Sequence, residues 1–288
     1  MAGELKARIE EAAAYVRALS PVRPEVGIIL GTGLGDFADA LEGETVVSYR
    51  DIPHFPVSTV ESHAGELHLG RLAGRPVAVM KGRVHYYEGY SMQQVGFPVR
   101  VLKALGCRTL IITNACGGMN PDMPAGTLLV TTDHINLMGD NPLIGENDDS
   151  LGPRFPDMSE PYARPLIALA ERAALGLGIP LQRAVFVAVA GPNLETAAEY
   201  RFLRRIGADV VGMSLVPEDI VAVHGGQRVL AFNVVTDSCL PDALEPASIP
   251  EILAVAGRLA PVLVRLMTEV VRRLEEATED RLVTAENR

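Results

Sequence analysis

The chain has 288 residues, 48% hydrophobic, 22% charged and 5% aromatic, with 26 basic and 36 acidic side chains and a formal net charge of −10. That length buries a large core in one big domain or two small ones. The acidic balance excludes a polynucleotide groove, which needs a basic face to displace counterions from phosphates. No Trp and few other rings exclude stacking platforms for single strands.

Met1 to Ala14 carries Glu4, Lys6, Arg8, Glu10 and Glu11, without the apolar centre of a secretory signal. No stretch approaches the roughly 18 uninterrupted apolar residues of a membrane helix. Cys107, Cys116 and Cys239 are odd in number and far apart, which fits neither a disulfide framework nor a zinc site. The histidines show no metal-ligand spacing. These features predict a cytoplasmic protein that needs no metal.

Residues 4–19 predict an amphipathic helix ended by Ser20-Pro21. Val26 to Leu30 is a short apolar run stopped by glycines, as in a strand covered on both faces. Similar runs predict strands at 45–49, 66–72, 76–80, 109–113, 127–132, 184–190, 209–213 and 228–235. Helical patterns lie between several of them, from Ser91 to Leu105, Pro161 to Leu177, Thr196 to Ile206, Glu218 to His224 and Pro250 to Leu274. Alternating strands and helices predict an α/β fold, with a mixed, mostly parallel central sheet flanked by helices. The runs at 66–72 and 76–80, joined by Ala73-Gly74-Arg75, predict a hairpin. The Pro-, Gly- and Asp-rich segment 139–157 predicts a functional loop. One domain over 1–275 and a polar tail over 276–288 are expected.

Candidate chemistry gathers at the strand ends. Gly31-Thr32-Gly33-Leu34-Gly35 follows the first strand, where backbone N–H groups and the Thr32 hydroxyl meet an anion or merely turn the chain. It misses the dinucleotide fingerprint, because its third Gly arrives one residue early, and no P-loop occurs. After the fourth strand, continued extension aims Arg83, His85 and Tyr87 the same way, as an anion or sugar site or a solvated edge. Glu88 would orient His85 through its ring N–H. Thr113-Asn114-Ala115-Cys116-Gly117-Gly118 lets a ligand approach the backbone, with Cys116 a small filler rather than a nucleophile. Glu195 is either a helix-start carboxylate or a ligand acceptor. Gly212-Met213-Ser214 and Thr236-Asp237 close two more strands. Such ends are where α/β sheets bind ligands.

Six ordered segments carry a resemblance: Gly31 to Gly35, Ser62 to Gly65, Gly82 to Gly89, Thr113 to Gly118, Gly191 to Thr196 and Val211 to Ser214. Over residues 20–275 the chain resembles the trimeric, low-molecular-mass purine nucleoside phosphorylases. The resemblance implies their mixed sheet and their reaction in purine salvage, in which phosphate attacks C1′ of a purine (deoxy)ribonucleoside without metal or organic cofactor. It implies that Thr32, His63, Arg83, His85, the Ala115 amide and Ser214 hold phosphate. Tyr87 and Met213 then line the ribose, Leu194 covers the base, Glu195 accepts from purine N1–H, and Cys116, Gly117, Val211 and Thr236 complete the wall. His85, Glu195 and Asp237 are the expected catalytic residues. Phe155 matches a position that reaches a neighbouring subunit's site, implying a homotrimer.

Two departures bear on substrate. Asp237 stands where 6-oxopurine-specific members carry Asn, and an ionised carboxylate only accepts, which suits a 6-amino group or a protonated N7. Ile249 aligns with the family's 5′-hydroxyl-binding His, so the 5′ end is expected to be apolar. Both features resemble the sister 5′-methylthioadenosine phosphorylases, the alternative activity, whereas Glu195 favours the N1–H of 6-oxopurines.

Overall fold

Apolar runs cut by glycine and proline become strands, and longer amphipathic stretches become helices. The computed structural model describes residues 2–59 and 64–277. In chain order they form α1 (Ala2–Leu19), β1 (Val26–Ile29), β2 (Glu42–Ser48), β3 (Glu66–Leu72), β4 (Arg75–Lys81), α2 (Met92–Leu105), β5 (Thr109–Gly118) and β6 (Leu128–Leu137). Then come α3 (Arg164–Leu177), β7 (Gln182–Val189), α4 (Ala197–Arg205), β8 (Val210–Gly212), α5 (Val216–His224), β9 (Arg228–Ser238) and α6 (Ile249–Arg272). Each predicted run forms the strand or helix assigned to it. The tail expected over 276–288 lies outside the described residues from 278 onward.

Local chemistry sets the helix boundaries. Ser91 Oγ accepts from the Gln94 N–H at 3.3 Å and Gln94 Oε1 accepts from the Ser91 N–H at 2.9 Å, a reciprocal cap on α2. Helix α5 starts at Val216, two residues before the predicted Glu218. Pro217 is tolerated there because the first N–H groups of a helix have no intrahelical acceptor.

The strands form one sheet in the order β2-β3-β4-β1-β5-β8-β7-β6-β9, and β9 also pairs with β5. Five strands therefore close into a small ring from which the other four extend. Parallel pairings hold a narrow majority, with β1–β4, β1–β5, β5–β9, β6–β7 and β7–β8 parallel. The predicted hairpin is present, with Leu72 of β3 opposite Arg75 of β4. Helices α1 and α2 pack together, α2 meets α5, and α6 lies against α3 and β9.

Three strands, β5, β6 and β9, run well past their apolar runs. β5 continues from Thr113 through Gly118, paired with β9 until Gly118 meets Ser238, with one register shift after Cys116. Its polar Asn114 is only 1% exposed, and its Nδ2 donates to Asn233 Oδ1 at 3.1 Å. Asn233 Nδ2 in turn donates to Thr131 Oγ1 at 2.6 Å. At Gly117 a Cβ would lie 2.5 Å from Cys239 Sγ, and at Gly118 2.7 Å from the Met123 carbonyl oxygen. Only glycine allows neighbouring chain to pack that closely on this strand end.

Candidate active site

One cavity opens where β1, β5 and β9 end together. It is walled by Gly31 and Thr32 after β1, by Asn114 to Gly117 of β5, and by Thr236 and Asp237 of β9. The chain leaving β4 adds Arg83, His85 and Tyr87, and the approach to α4 adds Leu194 and Glu195. Val211 to Ser214 completes it by a different route: β8 is antiparallel to β5, with Val211 opposite Gly117, so its carboxyl end returns along β5. A second, outer cavity shares Leu194, Glu195, Tyr200, Thr236, Asp237, Cys239 and Ile252 with this one. The carboxylates thus lie at the junction of the two, whereas Thr32, Arg83, His85 and Ser214 line only the inner end.

Arg83 anchors that inner end. Its side chain is 2% exposed, so it is no solvated strand edge. Its Nη1 donates to Ser214 Oγ at 3.0 Å and to Asn114 Oδ1, and its Nη2 to the Thr113 carbonyl at 2.8 Å. Ser214 Oγ donates to Asn114 Oδ1 at 2.9 Å. Burial pulls the guanidinium below its ordinary value while the Glu218 carboxylate opposes the shift. An Arg starts so high that it keeps its charge. Leu215, just after Ser214, sits at φ 69° and ψ −59°, and Val216 N–H closes onto the Ser214 carbonyl at 2.8 Å. This is a tight γ-turn at a bulky residue, a conformation costing about 1–3 kcal/mol that persists only when its surroundings hold it.

His85 and Tyr87 are brought together differently from the sequence expectation. The strand ends at Lys81 and the chain bends at Gly82 with φ 103°; His85 is again extended, and a single 3-10 turn, Tyr86–Glu88, follows. Tyr87 nevertheless meets His85 because the turn stacks the two rings, 4.7 Å apart and 13° from parallel. Burial, with the Glu88 charge, pushes the Tyr87 phenol up to about 12, so it is a neutral hydroxyl at the cavity wall. Glu88 meets His85 Nδ1 at 3.0 Å, as expected, and also accepts from its backbone N–H at 2.8 Å.

The turn after β1 is less open than its glycines imply. Gly31 N–H donates to Thr113 Oγ1 at 2.9 Å and so is spent inside the fold. Gly31 instead brings β1 hard against β5, leaving Thr32 on the wall.

At the junction, Glu195 precedes the Thr196–Glu199 reciprocal cap, in which Thr196 Oγ1 accepts from the Glu199 N–H at 3.3 Å. The cap is satisfied without Glu195, which favours the acceptor reading of this residue over the helix-start one. Burial raises the Glu195 carboxyl above its ordinary value. Asp237 Oδ1 accepts from Thr236 Oγ1 at 2.8 Å and Oδ2 from Cys239 Sγ at 3.3 Å. Cys116 is 4% exposed, and burial pushes its thiol well up, in keeping with a filler.

Two of the expected residues, Phe155 and Ile249, are not brought to this cavity. His63 lies outside the described residues. Phe155 is 88% exposed on the 139–157 loop, with the Arg154 guanidinium 5.7 Å from its ring centre. Ile249 is 61% exposed at the first position of α6; the helix turns Ile252, three residues on, to the wall in its place. Sequence reasoning missed Ile252, Tyr200, Cys239 and Glu218. Tyr200 sits four residues after Thr196 on the buried face of α4, a spacing that could have flagged it. Among the described residues, no group of three His, Cys, Asp or Glu side chains is placed to hold a metal.

Comparison with known proteins gives the family. Residues 25–272 match the family model described as the phosphorylase superfamily. Purine nucleoside phosphorylase 1 of Bacillus subtilis is 51% identical over 271 residues, covering 94% of this chain and 100% of that protein. Purine nucleoside phosphorylase of Mus musculus is 46% identical over 253 residues, covering 85% and 88%. Among solved structures, Schistosoma mansoni purine nucleoside phosphorylase in complex with inosine superposes with a TM-score of 0.88 at 37% identity, covering 93% of this chain and 96% of that one.

Proposed function

The chain belongs to the phosphorylase superfamily, within its purine nucleoside phosphorylases, and on that premise we propose how its cavity performs the reaction. The activity is transfer of a pentosyl group: phosphate and a purine (deoxy)ribonucleoside give the free base and (deoxy)ribose 1-phosphate, reversibly.

Phosphate occupies the inner end, held by Thr32, Arg83, His85, the Ala115 amide and Ser214, with His63 adjacent. The observation that carries this reading is the buried Arg83 cation lining the same inner wall as the Ser214 hydroxyl it holds at 3.0 Å and His85. A phosphate oxygen attacks C1′ while the C1′–N9 bond breaks, its electron pair leaving on the purine. Positive charge gathers on the ribose in between, and the adjacent phosphate stabilises it by charge and proximity. Tyr87 and Met213 line the ribose. The departing base is met by Glu195, accepting from N1–H, and by Asp237 near N7. A proton drawn from solvent onto N7 neutralises the leaving purine, and Asp237 accepts from that N7–H. Leu194 covers the base, with Cys116, Gly117, Val211 and Thr236 around it. Phosphate is the only co-substrate, and no protein nucleophile is required.

A homotrimer completes each site. The support is Phe155, a large ring left 88% exposed on a loop that its own hydrogen bonds fix, Arg154 Nη1 donating to the carbonyls of Leu143 at 3.1 Å and Gly145 at 3.0 Å. No helix among the described residues is long and apolar enough to cross a membrane. Three buried free cysteines fit a cytoplasmic location.

Base preference extends beyond 6-oxopurines, because Asp237 presents only acceptors unless protonated. Steady-state kinetics on adenosine and inosine tests both points. Asp237→Asn should lower adenosine turnover relative to inosine by about tenfold, the worth of a charge-assisted hydrogen bond. Phe155→Ala should raise KM for both nucleosides while leaving KM for phosphate unchanged. Equal loss on both substrates in the first variant would refute the preference, and an unchanged KM in the second would refute the shared site.

A further inference from the structure

Glu218 lies on the first turn of α5, behind the cavity wall, and its side chain is 4% exposed. Its Oε2 accepts from the Leu215 N–H at 3.1 Å, inside the γ-turn that carries Ser214. Its Oε1 stands 3.1 Å from Arg83 Nε, in ion-pair contact but off the N–H direction. Arg83 Nη1 closes the loop by donating to Ser214 Oγ at 3.0 Å. One buried carboxylate therefore grips both the guanidinium and the strained turn presenting the hydroxyl beside it.

We infer that Glu218 is a positioning residue for the phosphate end of the site, setting Arg83 and the Ser214 turn in one arrangement before the anion arrives. The inference rests on the reading that Arg83 and Ser214 hold phosphate. It is not simple charge compensation. A counter-ion to Arg83 competes with the incoming anion, so removing its charge would tighten phosphate binding. A positioning group does the opposite, because its loss leaves the Leu215 N–H and the guanidinium without their shared acceptor and lets the turn relax. An amide of the same shape offers one acceptor oxygen where the carboxylate offers two, so Gln cannot grip both groups.

The test is steady-state kinetics of Glu218→Gln and Glu218→Asp at varied phosphate and varied nucleoside, with phosphate-induced thermal shift on the same samples. We expect Glu218→Gln to raise KM for phosphate about tenfold or more, as for the loss of a hydrogen bond to a charged group, with KM for nucleoside changed less than about twofold. Glu218→Asp, which keeps the charge on a shorter stem, should show an intermediate rise and keeps the inference testable if the Gln variant does not fold. A lower KM for phosphate in Glu218→Gln, or a wild-type value in Glu218→Asp, would overturn it in favour of a counter-ion. Lower melting temperature with both KM values unchanged would overturn it in favour of a structural role. Ser214→Ala separates the two levels. If it leaves KM for phosphate unmoved, the phosphate-site reading itself fails; if it raises that KM while the Glu218 variants do not, only this inference fails.

Discussion

Glu88 shows how much of this cavity depends on a carboxylate that does not line it. Its Oε1 accepts from the His85 backbone at 2.8 Å and meets His85 Nδ1 at 3.0 Å, while its Oε2 takes the Thr59 N–H at 2.6 Å and the Thr59 hydroxyl at 2.8 Å. Burial alone would push this carboxyl up, but those hydrogen bonds outweigh burial and hold it at about 2, against an ordinary 4.5. Because the folded value is the lower one, Glu88 stabilises the fold above the ordinary value, and that contribution fades as pH falls from 4.5 toward about 2. Glu88→Gln should therefore unfold at lower urea concentration at pH 6, with the gap to wild type closing as pH falls through that window. A gap independent of pH would contradict this account of Glu88. The pairing with His85 was legible, since the two lie three residues apart beside a Gly. The contacts to Thr59 were not, because they cross 29 residues.

At the scale of elements, the site depends on how closely β1 lies on β5. A Cβ at Gly31 would stand 2.6 Å from the Thr113 carbonyl oxygen and 3.0 Å from Asn114 Cα, both backbone atoms that no rotamer change can move. Gly31→Ala should cost about 2 kcal/mol by overpacking and raise KM for phosphate, since Asn114 also holds Arg83. Gly176→Ala is the control: it lies within α3 with nothing within 4 Å of a Cβ, and should be neutral or gain up to about 1 kcal/mol. Urea unfolding of the two variants distinguishes them, and equal effects would contradict the close-approach argument. All nine strands were legible as apolar runs, but their functional extensions were not. Residues 114–118 and 236–238 are small or polar, and they stay extended because β5 and β9 pair with each other and their polar groups find partners across the sheet. Glu218 was hidden for another reason. An acid in a first helical turn is so ordinary that only the folded chain, which sets it beside Arg83, reveals its second contact. Ile249 and Ile252 were not separable in the sequence, because helical phase at the start of α6 decides which of them faces inward.

For the whole molecule, the issue is how a chain of net charge −10 would hold the phosphate proposed for it. The fold isolates the anion end from the overall field. A buried guanidinium, a hydroxyl and an imidazole line a cavity whose two acids, Glu195 and Asp237, lie at its junction with the second cavity. The closed ring of five strands makes that separation possible, because it returns β8 and Ser214 along β5 to the Arg83 side. Alternating strands and helices predicted the sheet but not its closure, which depends on a β5–β9 pairing between segments more than a hundred residues apart. The most direct test is release of free base from inosine, guanosine, adenosine and 5′-methylthioadenosine, each with and without phosphate. The account predicts base release that requires phosphate and yields one pentose 1-phosphate per base, from inosine and adenosine alike. Release that proceeds equally without phosphate, or none from any of the four, would contradict it.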